Sequence, residues 1–219
     1  MLTARELASH IDHANLRPDA TAADIAALCT EARRYGFAVV CVNPVHVGKA
    51  AAELQGSSVA VCAAVGFPSG AHSTDIKAAE AATCVYEGAR EIDIVANAGW
   101  LKDGDHNRYV DDMRAVRRAI GDAIILKVII EASLLSEPEI IRAAELAVQG
   151  GADLVKTSTG VYGKARIEDV QLLRRVLPPR VKIKAAGGIR TAESACAFIA
   201  AGAERIGVSA SVGIMQQVT

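Results

Sequence analysis

Hydrophobic positions along this chain fall into short continuous runs, separated by longer stretches in which apolar residues recur every three or four positions. The runs predict strands at Ser9–His13, Phe37–Val42, Val59–Val65, Glu91–Ala96, Ile124–Ile130, Ala152–Lys156, Val181–Ala185 and Arg205–Ser209. Most are unbroken Val/Ile segments, the pattern of parallel strands covered on both faces. The intervening stretches carry helix start signals. Thr21 precedes AADIAALCTEARRY with Asp24 three residues on, Ser136 precedes Pro138 and Glu139 in capping-box spacing, and Thr191 opens AESACAFIAA. Gly36, Gly88, Gly151 and Gly202 stand where a left-handed residue ends a helix.

Glycine followed by alanine and then an apolar strand recurs at Gly88-Ala89, Gly151-Ala152 and Gly202-Ala203, each a return from a helix into the sheet. Eight strand–helix units in 219 residues, with no Pro- or Ser-rich linker, predict one α/β domain over the whole chain. The fold expected is a (β/α)8 TIM barrel with eight parallel strands and brief loops. An open doubly wound sheet is the rival. It is disfavoured because no GxGxxG follows the first strand and because polar residues sit at the ends of many strands.

Composition narrows the function. The chain is 51% hydrophobic, and 24 Lys plus Arg against 25 Asp plus Glu leave a net charge of −1. Such a balance offers no field for nucleic acid or an anionic membrane. No apolar stretch reaches the roughly 18 residues of a membrane-spanning helix; the longest, AIILKVII, contains Lys127. The beginning, MLTARELASHIDH, lacks the apolar core of a signal peptide. The five cysteines are scattered without a CxxC pair, which reads as reduced thiols in a cytoplasmic protein.

In a barrel the C-terminal strand ends face the active-site mouth. Those ends carry Asp12, Cys41, Asn43, Gly66, Asp93, Asn97, Lys127, Lys156, Lys184 and Ser209. Lysine resists full burial, so three lysines on three apolar strands demand a reason. Lys156 closes ADLVK. An amine partly desolvated beside a second cation holds its proton weakly and becomes a nucleophile, and Lys184 on the next strand is the natural second cation. Lys182 is a buried or bottom-rim lysine, and Lys127 calls for a neighbouring carboxylate. Asp93, between Ile92 and Ile94, is an ion-pair partner for Lys184 or Lys127, a proton shuttle, or both. Glu131 is either part of the site or a rim charge. Histidines at 10, 13, 46, 72 and 106 lack metal-ligand spacing and read as surface or core side chains.

A phosphate signal is independent of the lysines. AAGGIRT, with Gly187 and Gly188, is a strand end, a glycine pair and a helix start, and GVSAS, with Gly207, Ser209 and Ser211, repeats the design after the last strand. Loops after strands seven and eight are where barrels hold phosphate, through backbone N–H groups and a helix N-terminus.

With these residues in hand, IDHANLRPDAT, EIDIVANAGWLKDGD, KVIIEASLL, ADLVKTSTG, IKAAGGIRTAE and RIGVSAS resemble, in order, the signature segments of deoxyribose-phosphate aldolases, from residue 11 to residue 211. The resemblance implies a class I aldolase in which Lys156 forms the Schiff base, Lys184 loosens its proton and Asp93 belongs to the proton relay. Gly187, Gly188, Gly207 and Ser209 match phosphate-loop positions, and Cys41 matches a cysteine lining the site. Asp12, Lys127, Thr157, Gly160 and Ser211 complete the candidate substrate contacts. The implied reaction is reversible cleavage of 2-deoxy-D-ribose 5-phosphate to D-glyceraldehyde 3-phosphate and acetaldehyde, with neither metal nor organic cofactor. The partners implied are small sugar phosphates and aldehydes, with the chain as a homo-oligomer, dimer or tetramer. Departures from the family pattern fall at Ala14, at Arg17-Pro18, at Ala132 in KVIIEAS, in the VYGKARIED loop and at Ala210. They bear on substrate preference and leave the lysine chemistry intact. Two rivals stand beside this reading: a metal-dependent phosphate-binding barrel, disfavoured by the lack of a His/carboxylate ligand set, and an inactive sugar-phosphate binding relative.

Overall fold

The structure, a computed structural model, describes residues 2–218. Eight strands close into a barrel in chain order. They are β1 (Ile11–Asn15), β2 (Val39–Val42), β3 (Ala60–Val65), β4 (Glu91–Val95), β5 (Ile125–Ile129), β6 (Leu154–Lys156), β7 (Lys182–Ala186) and β8 (Arg205–Val208). Every pairing is parallel, including the β1–β8 closure. Helices alternate with them: α1 (Ala4–Ser9), α2 (Ala22–Tyr35), α3 (Val47–Glu53), α4 (Thr74–Tyr86), α5 (Ala98–Lys102), α6 (His106–Ile120), α7 (Glu137–Gln149), α8 (Ile167–Val176), α9 (Ala192–Ala200) and α10 (Ser211–Met215). The expected closed barrel is the fold observed.

Local chemistry explains the boundaries. Thr21 and Ser136 form the expected capping boxes, with Asp24 and Glu139 reaching back to the cap backbone, and Gly36, Gly88, Gly151 and Gly202 all take positive φ at helix ends. One boundary differs with consequence. Thr3 and Glu6 form a further capping box, which starts α1 and carries it to Ser9. The first strand therefore begins at Ile11, two residues later than expected, and Asp12 lies near its start. β6 begins at Leu154 rather than Ala152: Asp153 stays outside it, its Oδ2 accepting from the Leu126 N–H at 2.8 Å and pairing with Arg117.

Strand alternation divides the interior into two environments. Outward residues such as Ile92, Ile94, Leu126, Val128 and Ile183 pack against the helices in one apolar core. The inward set is largely charged: Asp12, Glu91, Asp93, Lys127, Lys156 and Lys184 are all buried. A small apolar cluster of Val39, Cys41 and Cys62 packs beside them on β2 and β3.

Candidate active site

The charged interior is organised around Asp93, fully buried on β4. Its register neighbours are Ala64 on β3 and Lys127 on β5. Oδ1 accepts from Lys127 Nζ at 2.7 Å and from the Cys62 thiol at 3.1 Å. Oδ2 accepts from Lys156 Nζ and Lys184 Nζ, each at 2.7 Å. Lys156 and Lys184 are register partners on β6 and β7, so adjacent strands deliver both amines to one oxygen. Burial alone would push this carboxyl up; Lys127, Lys156 and Lys184 outweigh it and hold Asp93 well below the usual carboxylate range.

A second tier lies beneath. Asp12 Oδ2 pairs with Lys184 at 2.5 Å and its Oδ1 accepts from Arg205 Nε at 2.7 Å. Glu91 pairs with Lys127 at 2.6 Å and Arg205 at 3.5 Å. Burial opposes the charge of Lys184, and Asp12 with Asp93 outweigh it, so this lysine stays protonated above its ordinary value. The cluster holds three carboxylates, Asp12, Glu91 and Asp93, against four cations, Lys127, Lys156, Lys184 and Arg205. One positive charge is in excess. Lys156 is the cation with a single carboxylate partner, and that partner is shared with two other lysines.

Above the cluster a cavity of about 540 Å³ opens at the C-terminal strand ends. Of the residues singled out in the sequence, Lys156, Lys184, Cys41, Gly160, Gly187, Gly188, Gly207 and Ser209 line it. Gly207 is needed below the mouth as well: a Cβ there would meet Lys184 Cε at 2.9 Å, so the bare backbone leaves the lysine its path to Asp93. At Gly187 a Cβ would meet Ser158 Oγ at 2.7 Å, which keeps that loop closely packed.

Five of the sequence candidates lie elsewhere. Asp12 and Lys127 belong to the buried charge tiers rather than the cavity wall; for Asp12 the reason is the later start of β1. Asp93 lies beneath the wall, joined to the cavity through the two lysines. Thr157 is fully buried, its hydroxyl donating to the Ala186 carbonyl at 3.2 Å and accepting from the Ala186 N–H at 3.1 Å, so it staples β6 to β7. Ser211 is also fully buried, bonded to His13 Nδ1 at 2.8 Å and donating to the Val208 carbonyl at 3.2 Å. As a phosphate donor it is corrected to an anchor for α10. Lys182 is exposed at the strand-start rim.

Sequence reasoning undervalued the wall. Arg17, Lys164 and Arg190 bring three basic side chains to the cavity, along with Phe67 and Tyr162. Lys164 follows the glycine of VYGK and packs along Gly188, where a Cβ would meet its Cγ at 2.8 Å. Glu131 is no rim charge. It is 2% exposed with φ +52, and its Oε2 accepts from the Thr159 N–H at 3.0 Å and hydroxyl at 2.5 Å. Thr159 Oγ1 in turn accepts from the Val161 N–H at 3.1 Å, so Glu131 positions the loop that walls the cavity. A non-glycine residue in this backbone region is retained where the surroundings over-determine it.

The family model described as DeoC/LacD family aldolase matches residues 7–217. The chain is 49% identical over 211 residues to the deoxyribose-phosphate aldolase of Geobacillus sp. (strain WCH70), covering 96% of this chain and 95% of that protein. It is 50% identical over 208 residues to that of Streptococcus equi subsp. zooepidemicus, covering 94% of each. The tetrameric deoxyribose phosphate aldolase of Aeropyrum pernix superimposes with a TM-score of 0.91 at 33% identity, over 98% of this chain and 91% of that one.

Proposed function

This chain belongs to the DeoC/LacD aldolase family, and from that premise we propose that it cleaves 2-deoxy-D-ribose 5-phosphate reversibly through a Schiff base on Lys156. The observation that carries the mechanism is the shared oxygen: Lys156 and Lys184 both reach Asp93 Oδ2 at 2.7 Å, directly below the cavity. Lys156 has a single carboxylate partner, whereas Lys184 is held by two carboxylates and Lys127 by three. The neutral amine attacks the substrate carbonyl, and loss of water yields a cationic imine. The imine draws the electrons of the breaking C–C bond into an enamine, releasing glyceraldehyde 3-phosphate. Protonation of the enamine and hydrolysis of the imine free acetaldehyde and restore the amine. Asp93 and Lys184, within hydrogen-bond reach of Lys156 or its partner oxygen, carry those protons.

In this scheme the phosphate binds at the loops of Gly187-Gly188 and Gly207–Ser209, which line the cavity together with the basic side chains of Lys164, Arg17 and Arg190. No cofactor takes part in this scheme. Among the described residues no helix is long and apolar enough to cross a membrane; a cytoplasmic location and a homo-oligomer, dimer or tetramer, complete the proposal. Borohydride reduction in the presence of acetaldehyde, followed by peptide mapping, tests it. Labelling of Lys156 is expected, and labelling of Lys184 or Lys127 instead, or of no lysine, refutes the mechanism.

A further inference from the structure

We propose that Cys41 and Cys62 form a reversible oxidation site, at which a hydroperoxide converts Cys41 to a sulfenic acid and Cys62 closes it to a disulfide that disturbs Asp93. The two residues are in-register partners on the parallel strands β2 and β3. Adjacent strands lie about 4.8 Å apart, within the about 4.4–6.8 Å that a disulfide spans between Cα atoms. Their sulfurs and an Asp93 carboxylate oxygen all lie within 4.8 Å of one another. Both thiols are buried, but Cys41 lines the cavity through which a small oxidant arrives, whereas Cys62 does not. That is the arrangement of an attacked thiol and a resolving thiol.

The electrostatic setting disfavours a metal cation, and it favours the anion at Cys41 rather than at Cys62, whose thiol burial pushes well above its usual value. Lys127 Nζ lies 3.2 Å from Cys62 Sγ, and three lysines converge on Asp93. These ammonium groups repel a metal ion from the two thiols and the carboxylate, and they stabilise a thiolate. The hydrogen bond with Cys62 also holds the Cys41 thiol below its usual value. Cys29 and Cys84 differ from Cys41: burial pushes their thiols up to about 11 and about 12, and both pack into the apolar core outside the barrel.

The chemistry balances with the peroxide as the only added reactant. The Cys41 thiolate attacks one peroxide oxygen, the O–O bond breaks, and the departing hydroxide takes the thiol proton as water. Cys62 sulfur then attacks the sulfenic sulfur, the S–O bond breaks, and the second hydroxide leaves as water with the Cys62 proton. Two thiols are oxidised, one peroxide is reduced, and two waters form. The bond also removes the thiol that donates to Asp93 Oδ1 at 3.1 Å.

The experiment is peroxide titration of the native protein, alkylation of free thiols, and peptide mapping without reductant. A Cys41–Cys62 cross-linked peptide lighter by two hydrogens is expected. Turnover is expected to fall by about tenfold or more, the scale of one lost hydrogen bond to an ionised carboxylate, and to return with dithiothreitol. The cross-link is read independently of the aldolase assignment; only its effect on turnover rests on the proposed role of Asp93. In Cys62→Ser, dimedone should trap a Cys41 sulfenic acid and no cross-link should form. A cross-link to Cys29, Cys84 or Cys196, over-oxidation of Cys41 without a cross-link, or a Cys41–Cys62 bond that leaves turnover unchanged would overturn the proposal.

Discussion

Replacing Lys184 with leucine removes the second cation beside Lys156 together with one of the proposed proton carriers. Lys156 Nζ and Lys184 Nζ each lie 2.7 Å from the same carboxylate oxygen, so they are separated by at most twice that distance. At about 5 Å and an effective dielectric of about 20, two unit positive charges repel by about 3 kcal/mol. Without Lys184 the buried cluster balances, three carboxylates against Lys127, Lys156 and Arg205, and the excess charge that favours a neutral Lys156 is gone. The amine attacks only when neutral, so its proton, now held more tightly, must be removed at higher pH. The acidic limb of the pH–rate profile should move upward by about two units, which at neutral pH is a loss of about 100-fold in turnover. Activity should recover partly in alkaline buffer. The substitution also leaves Asp12 and Asp93 each with one ion-pair partner fewer inside the barrel, so a melting curve must accompany the assay to show that the variant is folded. A folded variant whose acidic limb stays in place with native turnover refutes the lysine-pair argument.

Three further perturbations read other parts of the structure. Gly188→Glu puts a negative side chain beside Lys164, at a position with φ +74; the KM for deoxyribose 5-phosphate should rise about tenfold to a hundredfold through lost charge-assisted contacts, with unphosphorylated deoxyribose nearly unaffected. Equal losses for both substrates would remove the phosphate assignment. Glu131→Gln turns one acceptor of the Thr159 clamp into a donor, and should raise the same KM and lower the melting temperature, since bonds to a charged group are worth about 1.5–3 kcal/mol; unchanged KM and melting would show that the clamp is dispensable. Burial depresses His13 below its ordinary value of 6.5 despite Glu31. The unfolded chain therefore binds the proton first, and the contribution of neutral His13 to stability is full above 6.5 and declines as pH falls below it. Melting temperature followed from pH 7.5 downward should show this slope, and His13→Gln should flatten it.

Much of the barrel was legible because its strands announce themselves. Unbroken Val/Ile runs buried on both faces, and helices opened by Thr21 and Ser136, need no tertiary information to be recognised. The misplaced first strand shows the limit. Ser9 continues a helix because Thr3 and Glu6 cap it, and that local signal, T-x-x-E, was readable from the residues alone. Correct weighting would have moved Asp12 from the mouth into the interior. Ser211 and Thr157 lie away from the cavity for a different reason. A hydroxyl beside a glycine loop has the right chemistry for phosphate, and only the packing of α10 on His13 and of β6 on β7 decides where it points.

The partners of Asp93 could be narrowed in the sequence but not chosen. Alternation along EIDIV puts Glu91 and Asp93 on one face, and the lysines of β5, β6 and β7 share it, so pairing was foreseeable; which amine meets which oxygen depends on the stagger of the closed sheet. That stagger gives the cluster its meaning. Burying this many charges is costly unless each is paired, and a cluster built only for stability would balance. This one carries a cation too many, and Lys156, the cation with a single carboxylate partner, also lines the cavity. An uncharged Lys156, the form in which the proposed nucleophile attacks, would leave three carboxylates against three cations.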